Sequence, residues 1–204
     1  MKIVISESQY KKLVEDKEEP KILRIPSLKL FSNDWFLLQK FLELKGNPPY
    51  SLGGDLFLMG TPVKSLGNLV SVDGYLYLEE TPIKSLGNLQ SVDGYLDLRY
   101  SRIKSLGNLQ SVDGYLSLQG TPIESLGNLQ FVGEYLDLEE TPIKSLGNLQ
   151  SVDGYLDLRE TPIKSLGNLQ FVGEYLNLRG TPLSKMYNEK QIRKMVNVEG
   201  YIYL

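Results

Sequence analysis

Thr81 to Tyr100 reads TPIKSLGNLQSVDGYLDLRY, and the chain writes this stretch again and again. SRIKSLGNLQSVDGYLSLQG follows from Ser101, TPIESLGNLQFVGEYLDLEE from Thr121 and TPIKSLGNLQSVDGYLDLRE from Thr141. The period is 20 residues, with no slip from Gly60 to Gly180. A fixed period of this length is the signature of a solenoid.

The apolar letters of one copy are Ile83, Leu86, Leu89, Val92, Leu96 and Leu98. Leu96 and Leu98 stand two apart, the period of a strand. Ile83, Leu86, Leu89 and Val92 stand three apart, which suits a tight, winding connection. Gly87-Asn88 and Asp93-Gly94 read as turns through a residue tolerant of positive φ, and Thr81-Pro82 ends a strand because proline cannot donate to a ladder. Strands are expected at 56–58, 76–78, 96–98, 116–118, 136–138, 156–158, 176–178 and 202–204. Eight parallel strands at about 4.8 Å spacing make one sheet roughly 35 Å across. One coil cannot bury enough apolar surface to offset the ordering of its backbone, so stability has to come from stacking.

LxLxxTxI, as in Leu96 to Ile103 or Leu136 to Ile143, resembles the core of a leucine-rich repeat. That family usually places Asn where this chain has Thr81, Ser101, Thr121, Thr141, Thr161 and Thr181, and a hydroxyl can still bond the backbone at that turn. SLGNLQSVDGYLDL is also similar to the short repeats of receptor L domains and of related bacterial and phage proteins. The resemblance covers Leu52 to Leu204. It implies an α/β repeat, a leucine-rich-repeat solenoid with one parallel sheet and helical caps. It implies no particular partner, because the architecture serves many.

The flanks read as caps. Residues 1–50 form an amino-terminal segment, 51–183 the solenoid, and 184–204 a carboxyl-terminal helix and last strand. Ile3 to Ile5 reads as a strand, and Ser6 with Gln9 as a capping box opening a helix through Tyr10 and Val14, before a charged linker at 15–19. Ile22 to Phe31 is an apolar, Pro-interrupted, irregular strand. Ser32 or Asn33 caps a helix with Trp35, Leu38, Phe41 and Leu42 on one stripe, ended by Gly46. Beyond Thr181 the unit lengthens from 20 to 26 residues, with Asn188 capping a helix over 189–195.

Composition narrows the function. The chain has 204 residues, a formal charge of −3, no Cys and no His. That removes a disulfide framework, thiolate metal sites and the commonest general base, and gives no bulk signal for nucleic acid. Asp137 and Asp157 would stand about 5 Å apart on neighbouring strands, a spacing glycosidases use, but an open repeated surface offers no pocket for an enzyme. The expectation is no catalysis and no cofactor or metal. No signal peptide or membrane span is legible, so a cytoplasmic protein is expected, in the host cytoplasm if phage-encoded.

With Leu96 and Leu98 inward, their neighbours form outward columns. The first holds Tyr75, Tyr95, Tyr115, Tyr135, Tyr155 and Tyr175, ending at Tyr201. The second holds Asp97, Asp137 and Asp157; the third holds Arg99, Arg159 and Arg179. Stacked tyrosines brace a sheet, and they are also rigid contact residues at interfaces. The second and third columns differ from copy to copy while the core letters do not. These residues are the candidate binding surface for a protein partner. The alternatives are self-association of two chains through the Tyr201–Leu204 edge, and glycan binding on the aromatic ladder. A lysine stripe (Lys64, Lys84, Lys104, Lys144, Lys164) and an acidic stripe (Asp73, Asp93, Asp113, Glu134, Asp153, Glu174) read as solvated faces.

Overall fold

A computed structural model describes residues 21–204; the strand and capping box read within 1–20 lie outside the described residues. The chain is a stack of 20-residue coils, and the strands of every coil pair in parallel with those of the next. All six apolar positions of the unit are buried, with Ile83, Leu89, Val92 and Leu98 fully inaccessible. They join their copies in one continuous core from Ile25 to Val198.

The sheet read from the sequence is present, with each strand two residues long rather than three, from Leu56–Phe57 to Ile202–Tyr203. There is also a second parallel sheet, which the reading of one sheet missed. Its nine strands include Ser91–Val92, Phe131–Val132 and Asn197–Val198. Val92 is therefore a strand residue, not the edge of a winding connection. Register is strict: Leu96 lies on Leu116 and Asp97 on Ser117. Backbone bonds lock it, as in Leu96 N donating to Tyr115 O at 2.8 Å and Asp113 N to Val92 O at 3.0 Å.

Two glycine positions have different reasons. Gly87 sits at φ 62°, the left-handed turn that the Gly-Asn dipeptide predicts. Gly94 does not have positive φ; a side chain there would stand 2.8 Å from the Gly74 carbonyl of the coil below. In coils reading Gly-Glu the tight position moves to Gly133, which faces the Asp113 carbonyl.

The helix over Trp35–Leu44, α1, covers the first coils with Trp35, Leu38 and Leu42 buried. Its N-cap is Asp34, whose carboxylate accepts from Phe36 N at 2.8 Å and Leu37 N at 3.1 Å. Ser32 and Asn33 are left-handed and instead close a 3₁₀ turn at Leu28–Phe31. The irregular segment before it contributes Leu23–Ile25 as the first strand of the nine-stranded sheet. At the other end, Pro182–Met186 (α2) and Glu189–Ile192 (α3) replace the usual connection; Asn188 caps α3 as expected and closes a capping box with Gln191, but the helix ends at Ile192 rather than Met195. Arg193 then donates to the carbonyls of Val198 and Gly200, occupying acceptors that a further coil would use.

The hydroxyl column behaves as its chemistry suggests, with one exception. Six threonines donate to the carbonyl three residues back at 2.6–2.7 Å. Ser101 Oγ is the one buried side-chain polar atom among the described residues with no partner. Ser101→Thr should therefore raise stability by about 1 kcal/mol, and Thr141→Val lower it by about as much. Thermal denaturation reads both as shifts of roughly 2–4 °C of opposite sign.

Candidate functional surface

The eight-stranded sheet carries the predicted columns, and the register stacks them coil over coil. Tyr75 and Tyr95 stack at 4.7 Å and Tyr95 and Tyr115 at 4.5 Å, while Tyr155 and Tyr175 lie 4.7 Å apart with their rings tilted by 35°. Tyr115 and Tyr155 remain exposed. Tyr135 breaks the ladder. Its ring stands edge-on to both neighbours, at 88° to Tyr115 and 84° to Tyr155. Its hydroxyl lies 3.4 Å from Asp157 Oδ2. The turned ring leaves a groove of about 470 Å³, walled by Tyr115, Tyr155, Tyr175 and Tyr203 with Leu156, Asp157 and Asn177 at its base.

The second column departs from the expectation of outward, open carboxylates. Asp97, Asp137 and Asp157 face away from the leucine core, yet each is at most 8 % exposed. Long neighbours cover them. Arg99 folds back on Asp97 at 2.6 Å, and Arg159 on Asp157 at 2.7 Å. Arg159 also reaches Glu139 at 3.0 Å, and Arg99 reaches Glu79 at 3.5 Å. These charge-assisted forks make the aspartates part of the face's framework. Arg179 lies instead over the Tyr203 ring, 4.7 Å from its centroid.

Asp137 is the exception among the three. Its coil carries Glu139 where the others carry arginine, so no cation folds back on it. It accepts from Glu139 N at 3.0 Å and Ser117 Oγ at 3.3 Å. Burial raises its carboxyl above the usual carboxylate range, and the nearby charges of Asp157 and Glu139 raise it further, against those two hydrogen bonds. Asp137 and Asp157 do stand on adjacent strands, as the spacing predicted. Both carboxylates are buried, and Arg159 grips that of Asp157.

The acidic stripe lies at the corner between the sheets, beside the tyrosines. Asp93, Asp113, Glu134, Asp153 and Glu174 are all exposed. Among the described residues the one ion pair on this stripe is Asp73 with Arg24, at 3.1 Å. Like charge accumulates along it: the Asp93 carboxyl is raised by burial and then by Asp113 and Asp73. The Glu134 charge is the first influence raising the Tyr95 hydroxyl, and partial loss of hydration followed by the nearby Glu174 carboxylate raises that of Tyr155. Reading this stripe as a plain solvated face missed its continuity with the aromatic ladder. The clue was in the numbering, since Glu134 and Glu174 immediately precede Tyr135 and Tyr175.

Among the described residues no group of carboxylates has the arrangement of a metal site, and no helix is long and apolar enough to cross a membrane. No protein-family profile matches the chain, and no curated protein or solved structure matches it at a significant level.

The raised Asp137 carboxyl fixes the sign of a pH effect. A folded-state value above the unfolded one means the folded chain holds the proton longer, so stability is greatest below the ordinary aspartate range and falls as pH rises through the folded value. Asp137→Asn should raise the melting temperature at pH 7. The gap to wild type should close as the pH drops below about 4. Melting curves from pH 3.5 to 8 test this.

Proposed function

We propose that this chain is a non-catalytic binding module of the leucine-rich-repeat type that presents the outer face of its eight-stranded sheet to a protein partner. The observation that carries this is the contrast between core and face. From Ile83 to Leu178 the coils repeat the same six buried apolar letters, while the face varies among them, with Asp97, Ser117, Asp137, Asp157 and Asn177 in one column and Arg99, Gln119, Glu139, Arg159 and Arg179 in the next. Exposed tyrosines bring contact area at low entropic cost, and the arginine-carboxylate forks hold the surface rigid before a partner arrives. The LxLxxTxI pattern with its hydroxyl-to-carbonyl bonds supports the family reading. The reading needs no cofactor, and it suits a cytoplasmic protein, in a phage host if the repeats share the origin of those they resemble.

A second reading has its own observation. Arg193 occupies carbonyls at the carboxyl-terminal edge of the nine-stranded sheet, but among the described residues nothing pairs with the outer edge of Ile202–Tyr203. Tyr201 and Leu204 are exposed there. Two copies joined at this edge would form an assembly through backbone pairing.

The two readings separate in one experiment. Wild type and the triple variant Tyr95→Ser, Tyr115→Ser, Tyr155→Ser are used as bait in lysate, and both are sedimented at low concentration. A protein partner held by wild type and lost by the variant, whose fold is checked by circular dichroism, supports the face. A dimer that the variant keeps, with no partner captured by either bait, supports the edge and removes the face reading.

A further inference from the structure

We infer that the middle of this face, around the turned Tyr135, is a seat for cationic side chains, arginine above all, supplied by a basic segment of the protein partner. The inference rests on the face being the binding surface and names the chemistry of what binds there.

The charge balance is local. Among Asp137, Glu139 and Asp157 the one cation is Arg159, and it pairs with Glu139 and Asp157 but not with Asp137. The neighbouring coil contributes only Ser117 and Gln119, which donate to Asp137 and Glu139 at 3.3 and 3.0 Å and carry no charge. Beside them stand Asp113, Glu134 and Asp153, exposed and without an ion pair among the described residues. In the coils of Arg99 and Arg179 the balance differs, because these arginines bring their own positive charge. Negative charge is thus left in excess where the tyrosine ladder opens.

The walls suit the same ligand. Tyrosine ring faces attract cations, and guanidinium binds them by stacking as well as by charge. The chain already shows this on itself. Arg179 lies 4.7 Å over Tyr203 at one end of the groove, and Arg99 and Arg159 are gripped by carboxylate forks on the same sheet. Every arginine of this face is held by a carboxylate or a ring, and the coil of Asp137 has both kinds of partner without an arginine of its own. A neutral sugar would use the rings but gains nothing from the carboxylates. An anionic ligand would be repelled by both.

The test uses the full chain and a fluorescein-labelled hexa-arginine peptide, with hexa-lysine and cellohexaose as comparison ligands. Polarisation at 50 and 300 mM NaCl should show hexa-arginine bound more tightly than hexa-lysine and weakened by salt. Tyr115→Ser with Tyr155→Ser should weaken it about tenfold, from the loss of ring contacts. Asp137→Asn, and separately Glu134→Gln with Asp153→Asn, should each weaken it by a similar factor. Lys84→Gln with Lys164→Gln, on the opposite stripe, should change it less than twofold. Hexa-arginine binding that ignores the tyrosine pair and Asp137 would be diffuse attraction and would overturn the seat. Cellohexaose binding in place of hexa-arginine would overturn it in favour of a glycan surface. If hexa-arginine fails to bind while the triple serine variant still loses a captured partner, the face reading stands and the cationic seat falls. If neither is seen, both fall.

Discussion

Everything in this molecule depends on the in-register hydrogen bonding of one coil to the next. Each coil donates and accepts across two sheets, and its strands are so short that neither sheet would form from one coil alone. The strict 20-residue spacing lets every backbone group find its counterpart, and the same spacing places leucine over leucine in the core. Packing and backbone pairing therefore reinforce one another at every step. A slip by one residue would lose both at once.

The same constraint explains the caps. A stack of coils has two open ends, and the described chain treats them differently. At the amino-terminal end α1 lays Trp35, Leu38 and Leu42 over the core, and Tyr50, fully buried, donates its hydroxyl to Leu66 O while accepting from Gln39. Burial pushes that hydroxyl far above its ordinary range, so it stays a donor at any ordinary pH. At the carboxyl-terminal end a guanidinium takes the place of a coil's amide donors. One end is closed by apolar area, the other in part by a charge reaching two carbonyls.

The core was legible because six apolar letters recur unchanged from Ile83 to Leu178, and each proves buried. The second sheet was not legible because Ser91–Val92 is too short to show an alternation. The helix at Pro182–Met186 was missed because Thr181-Pro182 copies the start of most coils; where the Gly-Asn turn is lost after it, Thr181 accepts from Ser184 N and begins a helix. The columns of the face could be written down from spacing. Their chemistry could not, because burial of Asp97 depends on Arg99 folding back over it, and the groove depends on how a single ring is turned. Those are choices among rotamers, made by neighbours 20 residues away in sequence.

Near-identity of the coils also bears on how such a chain changes over generations. Stretches that encode the same 14 or more residues in succession invite unequal exchange between copies of a gene, which adds or removes whole coils. Here such an event would leave the leucine core continuous, because every coil offers its neighbours the same apolar surface. The face would not stay the same. Removing residues 101–120 would bring the strand of Asp97 and Arg99 next to that of Asp137 and Glu139. The interior is thus indifferent to coil number, while the surface is rewritten by it. A lineage can alter this surface by counting coils rather than by mutating residues.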